Sequence, residues 1–552
     1  MQDFENDLIF LPLGGSGEIG MNLNLYQLDG QWIMVDLGMT FGDPYFPGVD
    51  LIFPDPVFIE ERRSDLLGIV LTHAHEDHIG AVPYLWRRLR CPIYATPFTA
   101  VMVERKLEEA GLLDQVELHV IEMGGSLKLG PFAISYVALA HSIAEGNALK
   151  IETRHGTVFH TGDWKLDARP IIGNPASSEE LTKIGDKGVL AMIGDSTNVF
   201  NPEASGSEGD VQDNLMRVVK GLTGRVVVTT FASNVARLES VMKIARETGR
   251  HVALLGRSMH RIVQTARETG YLKDCPPLLE TDEIATYDRD KVLILCTGCQ
   301  GEANAALSRI AAGEHRDISL VRGDNVLFSS KQIPGNELGI GRLINKLVGL
   351  GVEIITEKDE HIHVSGHPGK PELNDMYSWI RPQIAVPVHG EARHIHAHAK
   401  LAKANGVKHV FEIQNGKMLR LAPGEPQFVD EAPVGRLALD GDLVIPIDDG
   451  TLAARRRLSR EGTLTLSAAV NRRGRLASDI VIAADGVPGW EDTDLLYDAV
   501  LDIAERLLEN IHAKKAGQLS VVEEEIRIRV RRYMKTHTGK RPLVSVMLLQ
   551  TD

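Results

Sequence analysis

Apolar and polar positions along this chain fall into two rhythms. Short alternating or continuous apolar runs that stop at a turn signal read as strands, and apolar residues returning every three or four positions read as helices. Asp7 to Leu13 reads as the first strand. Met21 to Leu28 alternates with period two, Asp29-Gly30 is a hairpin signal, and Gln31 to Asp36 is the return strand. Leu66 to Leu71 is an apolar run of the buried-strand kind, followed by Ile79, Val82, Leu85 and Trp86 at helical spacing. Three later runs, Ala133 to Ala140, Gly156 to Asp163 and Val189 to Asp195, end at or beside His141, Asp163 and Asp195. Strand ends converge along one edge of a sheet, so residues of this type at three such ends can meet.

The pattern changes near residue 205. Apolar strands at Gly224 to Thr230, His251 to Gly256, Val292 to Leu295 and Asp324 to Phe328 alternate with helical stretches, which predicts a separate parallel α/β unit inserted into the first domain. Chemistry-bearing residues resume at His361, His363 and His367, and Ile384 to Val388 is a strand ending in His389. His394, His396 and His398 follow at a spacing that predicts the solvated face of a helix. Short strands from about 405 to 445 finish the first domain, and Ile445 to Arg457 reads as a linker. The last segment shows two strands, Leu464 to Val470 and Ser478 to Ala483, and then two helices. The first, Asp494 to Ile511, carries Leu496, Val500, Ile503, Leu507 and Ile511 on one stripe. The second carries Arg527, Arg529, Arg531, Arg532 and Lys535. It reads as a solvated face balanced by Glu523 to Glu525, with an RNA or subunit contact as the alternative. There are no internal repeats and no low-complexity segment.

The turn after Leu71 holds His73, His75, Asp77 and His78 within six positions. Neutral imidazoles and a carboxylate suit zinc or manganese. Asp77 and His78 are adjacent and cannot easily both reach an ion held by His73 and His75, which favours two ions side by side. A competing motif, Gly15, Gly17 and Gly20 with Asp36 downstream, matches the spacing of a dinucleotide-binding loop. That loop must open a helix, and here a hairpin follows, so the site is not expected. Asp36 is left as either a partner of a metal ligand or a turn aspartate. Cys296 and Cys299 have no second pair to complete a zinc site and are expected to have no role.

Composition adds little to this picture except in charge. At 552 residues and 43% hydrophobic, the chain can bury several cores. No apolar run is long enough to span a bilayer, the acidic N-terminus lacks the features of a signal peptide, and four cysteines are too few for a disulfide framework; a cytoplasmic protein without membrane contact is expected. The net charge of −15 argues, as a sum, against a nucleic-acid partner, although bound divalent ions would offset it locally.

Taken together, His73, His75, Asp77, His78, His141, Asp163 and His389 resemble the ligand set of the dinuclear metallo-β-lactamase fold. The inserted domain, with Asp195 in Gly194-Asp195-Ser196-Thr197-Asn198, resembles the β-CASP subgroup of nucleic-acid hydrolases. Phe231-Ala232-Ser233-Asn234, Gly256-Arg257-Ser258-Met259, Gln300-Gly301-Glu302 and His363-Val364-Ser365-Gly366-His367 are similar to bacterial ribonuclease J. Cys299 departs from that pattern, where a small residue such as serine is expected.

The resemblance implies an α/β architecture. A metallo-β-lactamase αββα sandwich occupies residues 1–207 and 352–444, with a β-CASP domain inserted at 208–351. A linker at 445–460 leads to a C-terminal α/β domain at 461–552. It implies one ion on His73, His75 and His141, a second on Asp77, His78 and His389, and Asp163 bridging both. Zinc is the first choice, with manganese or magnesium as alternatives. It further implies RNA phosphodiester hydrolysis by a hydroxide activated between two metals, with Asp77, Asp195 and His367 as catalytic residues. His367 would protonate the leaving 3′ oxygen and Asp195 would orient it. Phe231, Ser233, His363, Ser365 and Gly366 would receive a 5′-monophosphate end. The implied activities are 5′-to-3′ exonuclease and endonuclease, in messenger decay and ribosomal RNA maturation, by a homodimer or homotetramer. The alternatives are a DNA-acting enzyme of the same fold and a catalytically degenerate RNA-binding subunit.

Overall fold

The computed structural model describes residues 4–43, 45–472, 475–491, 494–509 and 519–551. It falls into two compact units: residues 1–40 with 53–436, and residues 41–52 with 437–552. The sequence reading runs the first domain on to residue 444, whereas in the structure the chain from Leu437 groups with the C-terminal part.

The first unit is built on two mixed sheets packed face to face. One has eight strands in the order Gln427–Glu431, Lys417–Ala422, Leu8–Gly14, Leu23–Leu28, Gln31–Val35, Leu66–Val70, Ile93–Ala95 and Leu118–Val120. The other has seven, in the order Ser126–Leu129, Phe132–Ala138, Asn147–Thr153, Gly156–His160, Ala191–Asp195, Ile384–Val388 and His409–Val410. Phe10, Tyr26, Ile33, Val35 and Val70 of the first sheet meet Ile134, Tyr136, Leu149, Ile151, Ile193 and Val386 of the second in one buried core. The outer face of the second sheet, with Phe159, Met192 and Ala385, is covered by Leu181, Leu373, Met376, Tyr377 and Ala402 from helices Ser178–Asp186, Lys370–Ile380 and Ala392–Ala404. Helix Pro97–Glu109 packs on the Ile93–Ala95 and Leu118–Val120 strands of the first sheet. The layers are therefore helix, sheet, sheet, helix.

Strands Ala191–Asp195 and Ile384–Val388 are parallel neighbours in register from Ala191 opposite Ile384 to Asp195 opposite Val388. The inserted domain leaves and returns between them. Its six strands run in the order Leu278–Leu279, His251–Leu255, Val292–Cys296, Val226–Thr229, Asn325–Phe328 and Glu353–Ile355, and every pairing is parallel. Parallel strands are buried on both faces, and Val226–Thr229, Val292–Cys296 and Asn325–Phe328 are buried throughout.

In the second unit, the stretch read as a linker carries a helix, Gly450–Glu461. The side chain of Asp449 caps its N-terminus by accepting from Thr451 N. Beyond it the sheet has three strands, Val481–Asp485, Thr463–Val470 and Leu543–Gln550, where the sequence pattern suggests two. The third pairs in parallel with Thr463–Val470 along its whole length. Helices Asp494–Glu509 and Leu519–Thr538 cover one face of this sheet. The buried stripe of the first is Val500, Ala504 and Leu508, with Leu496, Ile503 and Leu507 at its margin; Ile511 lies outside the described residues. On the second helix Glu524 pairs with Arg527 and Glu525 with Arg529 in the open, as a solvated face does. Among the described residues no helix is long and apolar enough to cross a membrane.

Candidate metal centre

The ligand turn starts where strand Leu66–Val70 ends. His73 and His75 lie in the turn, and His75 precedes the short helix Glu76–Ile79, which carries Asp77 and His78. Neighbouring backbone clamps this turn: Leu37 N donates to His78 O at 2.7 Å, Met39 N to Glu76 O at 3.0 Å, and Asn22 N to Asp77 O at 2.9 Å. The approach is close enough that a Cβ at Gly38 would lie 1.7 Å from Asp77 O, so only glycine fits there. The Gly15 to Gly20 loop forms another wall. Gly15 O accepts from His389 N at 2.7 Å, and Gly20 lies against Asp77. The glycines thus shape this site, and the hairpin predicted after them is present.

Two sets of candidate ligand atoms converge, and a third group, Asp163, Asp195, His367 and His389, adjoins them. In the first, His75 Nδ1 lies 3.1 Å from His73 Nε2 and 3.0 Å from His141 Nε2. Asp163 Oδ2 is 3.8 Å from His73 Nε2 and 3.7 Å from His141 Nε2. In the second, His78 Nε2 and His389 Nε2 each lie 3.6 Å from Asp77 Oδ2, and they lie 3.2 and 3.5 Å from the same Asp163 Oδ2. Neighbouring ligand atoms on a tetrahedral zinc ion are about 3.3 Å apart, given bonds of about 2.0 Å. Both sets have that spacing, and one oxygen belongs to both. The two sets could hold two divalent ions side by side.

Electrostatics fit the same use. Burial, with neighbouring imidazoles, holds His73 and His141 well below the usual histidine range and lowers His75 to about 4, so all three are neutral donors. Burial opposes ionisation of Asp163, but His389, His78 and His367 outweigh it and hold its carboxyl well below the usual range. His78 goes the other way: burial lowers it, yet Asp163, Asp77 and Asp36 raise it well above the ordinary value. The same carboxylates would favour a cation beside its Nε2.

Each ligand ring is also held from behind. Asp36 Oδ2 accepts from His78 Nδ1 at 2.7 Å, and Asp36 Oδ1 accepts from Thr72 N at 2.8 Å. Thr72 Oγ1 is 3.0 Å from His73 Nδ1, Asn22 Oδ1 is 2.9 Å from His389 Nδ1, and Gly366 O is 2.6 Å from His141 Nδ1. Asp36 and His389 adopt positive φ, 64° and 51°, a strained conformation for residues other than glycine and common at sites that fix a side chain. Asp36, whose role the sequence leaves open, holds His78, one of the candidate ligands. Asn22 and Thr72 carry no sequence signal: one follows a glycine loop and the other ends a strand, and neither spacing says that its side chain turns inward.

Beside the cluster, His367 Nδ1 is 2.8 Å from Asp195 Oδ2. Burial would lower His367, but Asp195 and Asp163 outweigh it and raise it to about 9. With Nδ1 held by Asp195, Nε2 is free to present a proton. His363 Nδ1 is buried without a hydrogen-bond partner among the described residues; burial and then the charges of Arg237, Lys165 and Lys331 keep its ring neutral. Phe231 is half-buried. Ser233 Oγ lies 3.1 Å from His75 Nε2. Ser365 Oγ is engaged in its own turn, accepting from His367 N at 3.1 Å and donating to His367 O at 3.2 Å. Gly366 contributes its carbonyl to His141, and a Cβ there would meet Ser142 Oγ at 2.9 Å and His141 Cε1 at 3.0 Å.

The histidines that follow His389 differ from expectation. His394 and His398 are not solvated. His398 is fully buried between Ser196 Oγ and Tyr377 OH, each at 2.9 Å, because its helix packs on strand Ile384–Val388; of the three, only His396 faces solvent, beside Glu412. Cys296 and Cys299 are buried free thiols, and burial pushes both up to about 12, away from the thiolate form.

Four family patterns cover most of the chain: the Metallo-beta-lactamase superfamily at residues 21–171, Ribonuclease J, beta-CASP domain at 223–347, Zn-dependent metallo-hydrolase RNA specificity domain at 351–411, and Ribonuclease J C-terminal domain at 450–551. A Ribonuclease J of Sinorhizobium meliloti is 43% identical over 99% of this chain and 97% of its own length. The chain belongs to the ribonuclease J family. Ribonuclease J 1 of Streptococcus pyogenes, another relative, is 34% identical over 99% of this chain and 98% of its own. A crystal structure of a protein of unknown function from Enterococcus faecalis V583 covers 75% of this chain and 99% of its own at a TM-score of 0.52 and 16% identity, which shows a shared fold alone. The fold is the metallo-β-lactamase fold with the inserted β-CASP and C-terminal domains that the family patterns describe.

Proposed function

We propose that this protein is a metal-dependent ribonuclease that cleaves RNA phosphodiesters by hydrolysis, both stepwise from a 5′-monophosphate end and internally. One observation carries the reading: two sets of ligand atoms share Asp163 Oδ2, beside a histidine held ready to give up a proton. Two divalent ions there, zinc by preference and manganese or magnesium as alternatives, would activate water and neutralise charge on the phosphoryl oxygens. The protein's own groups do the rest. His73, His75 and His141 on one side, and Asp77, His78 and His389 on the other, would hold the ions, with Asp163 within reach of both sets. Asp195 fixes His367 so that its Nε2 proton can pass to the leaving 3′ oxygen, a transfer worth about 10²–10⁴ in rate.

The 5′ end would lie toward His363 and Phe231. The buried Nδ1 of His363, without a partner among the described residues, supports a phosphate there, and Phe231 would stack on the first base. Ser365 would serve mainly by shaping the His367 turn. Copies would pair through the C-terminal unit as a homodimer or homotetramer; exposed Val481, Met547 and Leu549 on its sheet support this. The cellular roles that fit are messenger decay and ribosomal RNA maturation.

The test supplies zinc, manganese or magnesium to chelated protein and follows matched RNA with 5′-monophosphate, 5′-hydroxyl and 5′-triphosphate ends, alongside the same sequence as DNA. Stepwise products from the monophosphate RNA, with internal cuts only from the triphosphate, are expected. Equal turnover of the DNA would overturn the RNA assignment.

A further inference from the structure

Five imidazoles face the two metal positions, and each must present one nitrogen as a bare lone pair. Something must therefore hold the proton on the other nitrogen. For His73, His78, His141 and His389 the outer atom is Nδ1, and its partner is Thr72, Asp36, Gly366 O or Asn22. Three of these partners belong to the sandwich, and Gly366 lies on the segment that returns to it. His75 is reversed. Its Nδ1 faces the cluster, and its outer Nε2 lies 3.1 Å from Ser233 Oγ. Ser233 belongs to the inserted domain, in the turn between strand Val226–Thr229 and helix Val235–Glu247.

We propose that Ser233 is a positioning residue for His75, so that retention of the ion on His73, His75 and His141 depends on the inserted domain being docked. With Nδ1 committed to the ion, His75 Nε2 carries the proton and donates it to Ser233 Oγ, which fixes the tautomer and the ring angle. The turn that carries Ser233 is held by its neighbours. The next residue, Asn234, caps the helix by accepting from Arg237 N at 2.9 Å and donates to Glu208 Oε1 at 3.3 Å. Glu208 forms a buried pair with Arg237, whose guanidinium also donates to Ser329 O at 3.1 Å and Ile362 O at 2.9 Å. Glu208 lies where the chain enters the insert and Ile362 where it leaves. The same buried guanidinium thus ties both crossings to the turn that carries Ser233.

This inference rests on the two-metal reading, and the experiment separates the two. Metal affinity of the full chain is measured by competition with a chromogenic chelator, using zinc alone, for wild type, Ser233→Ala and Ser233→Thr, with circular dichroism to check the fold. Wild type is expected to bind two ions. Ser233→Ala is expected to lose about 10–100-fold in affinity for one of them and to keep the other, the usual cost of removing a ligand's outer partner. Ser233→Thr, which keeps the hydroxyl, is expected to restore it. Wild type holding two ions while Ser233→Ala holds both as tightly would overturn the role of Ser233 and leave the two-metal reading standing. Wild type holding fewer than two would overturn both.

Discussion

Asp163 Oδ2 is the atom the site is built around, and the residues nearest it divide into those that stay neutral and those that stay charged. His367 is of the second kind. Its raised value means that it is protonated below about 9 and loses its proton above it. Bound metal ions are cations and pull that value down, so the alkaline loss of activity in the loaded protein lies below 9. Asp195→Asn removes the largest raising influence. The alkaline limb of the pH–rate profile should move to lower pH, and an unchanged limb would remove His367 from the proton-transfer role. His367→Ala should keep both metals and slow cleavage by about 10²–10⁴. A substrate whose leaving oxygen needs no proton should recover much of that loss. Gly366 is a second test at this scale. A methyl group there must push on Ser142 Oγ and His141 Cε1, 2.9 and 3.0 Å away. Gly366→Ala should weaken metal binding at the His141 set by about 10–100-fold, read by chelator competition, with the far-ultraviolet spectrum unchanged.

At the scale of elements, legibility follows from how local the signal is. The His73 to His78 turn, the strand ends at His141, Asp163, Asp195 and His389, and the Asp29-Gly30 hairpin all announce themselves within a few residues, and the strand–turn context agrees. What holds the ligands does not. Asn22 acts on His389 across 367 positions, and Gly366 on His141 across 225, so no spacing rule reaches them. Solvation of a helix face is also non-local. His394 and His398 read as polar and exposed until strand Ile384–Val388 is laid beneath them. The Leu543–Gln550 strand finds its partner 80 residues back. Two predictions belong here. Arg237 ties together Glu208, Ser329 and Ile362 from separate elements, so Arg237→Met should cost about 3–5 kcal/mol of stability, read as a lowered melting temperature, because Glu208 is left buried without its charged partner. Adding Glu208→Gln should recover part of the loss; no recovery would mean that packing of the guanidinium stem matters more than its charge. Cys296→Ser with Cys299→Ser should leave metal content and RNA turnover unchanged, since buried thiols raised to about 12 offer no thiolate. Loss of a metal ion would contradict that.

At the scale of the whole molecule, a net charge of −15 has to be reconciled with an RNA substrate. The excess is a sum over the chain, and of the cations nearest the site Lys165 pairs with Asp167 and Arg237 with Glu208. Arg237, Lys165 and Lys331 all act on His363, and two divalent ions would add four positive charges a short distance away. Attraction of RNA would then rest on the metals, for binding as well as for chemistry. The most direct measurement of the central claim, that two ions share Asp163 and hydrolyse RNA, is metal content against activity during a zinc or manganese titration of chelated protein, for wild type and Asp163→Ala. Wild type should be inactive without metal, and turnover of 5′-monophosphate RNA should return as two ions per chain are taken up. Asp163→Ala should fold, fail to hold the pair and remain inactive. Turnover by fully chelated wild type, or an Asp163→Ala protein that keeps two ions and a near-normal rate, would contradict the account.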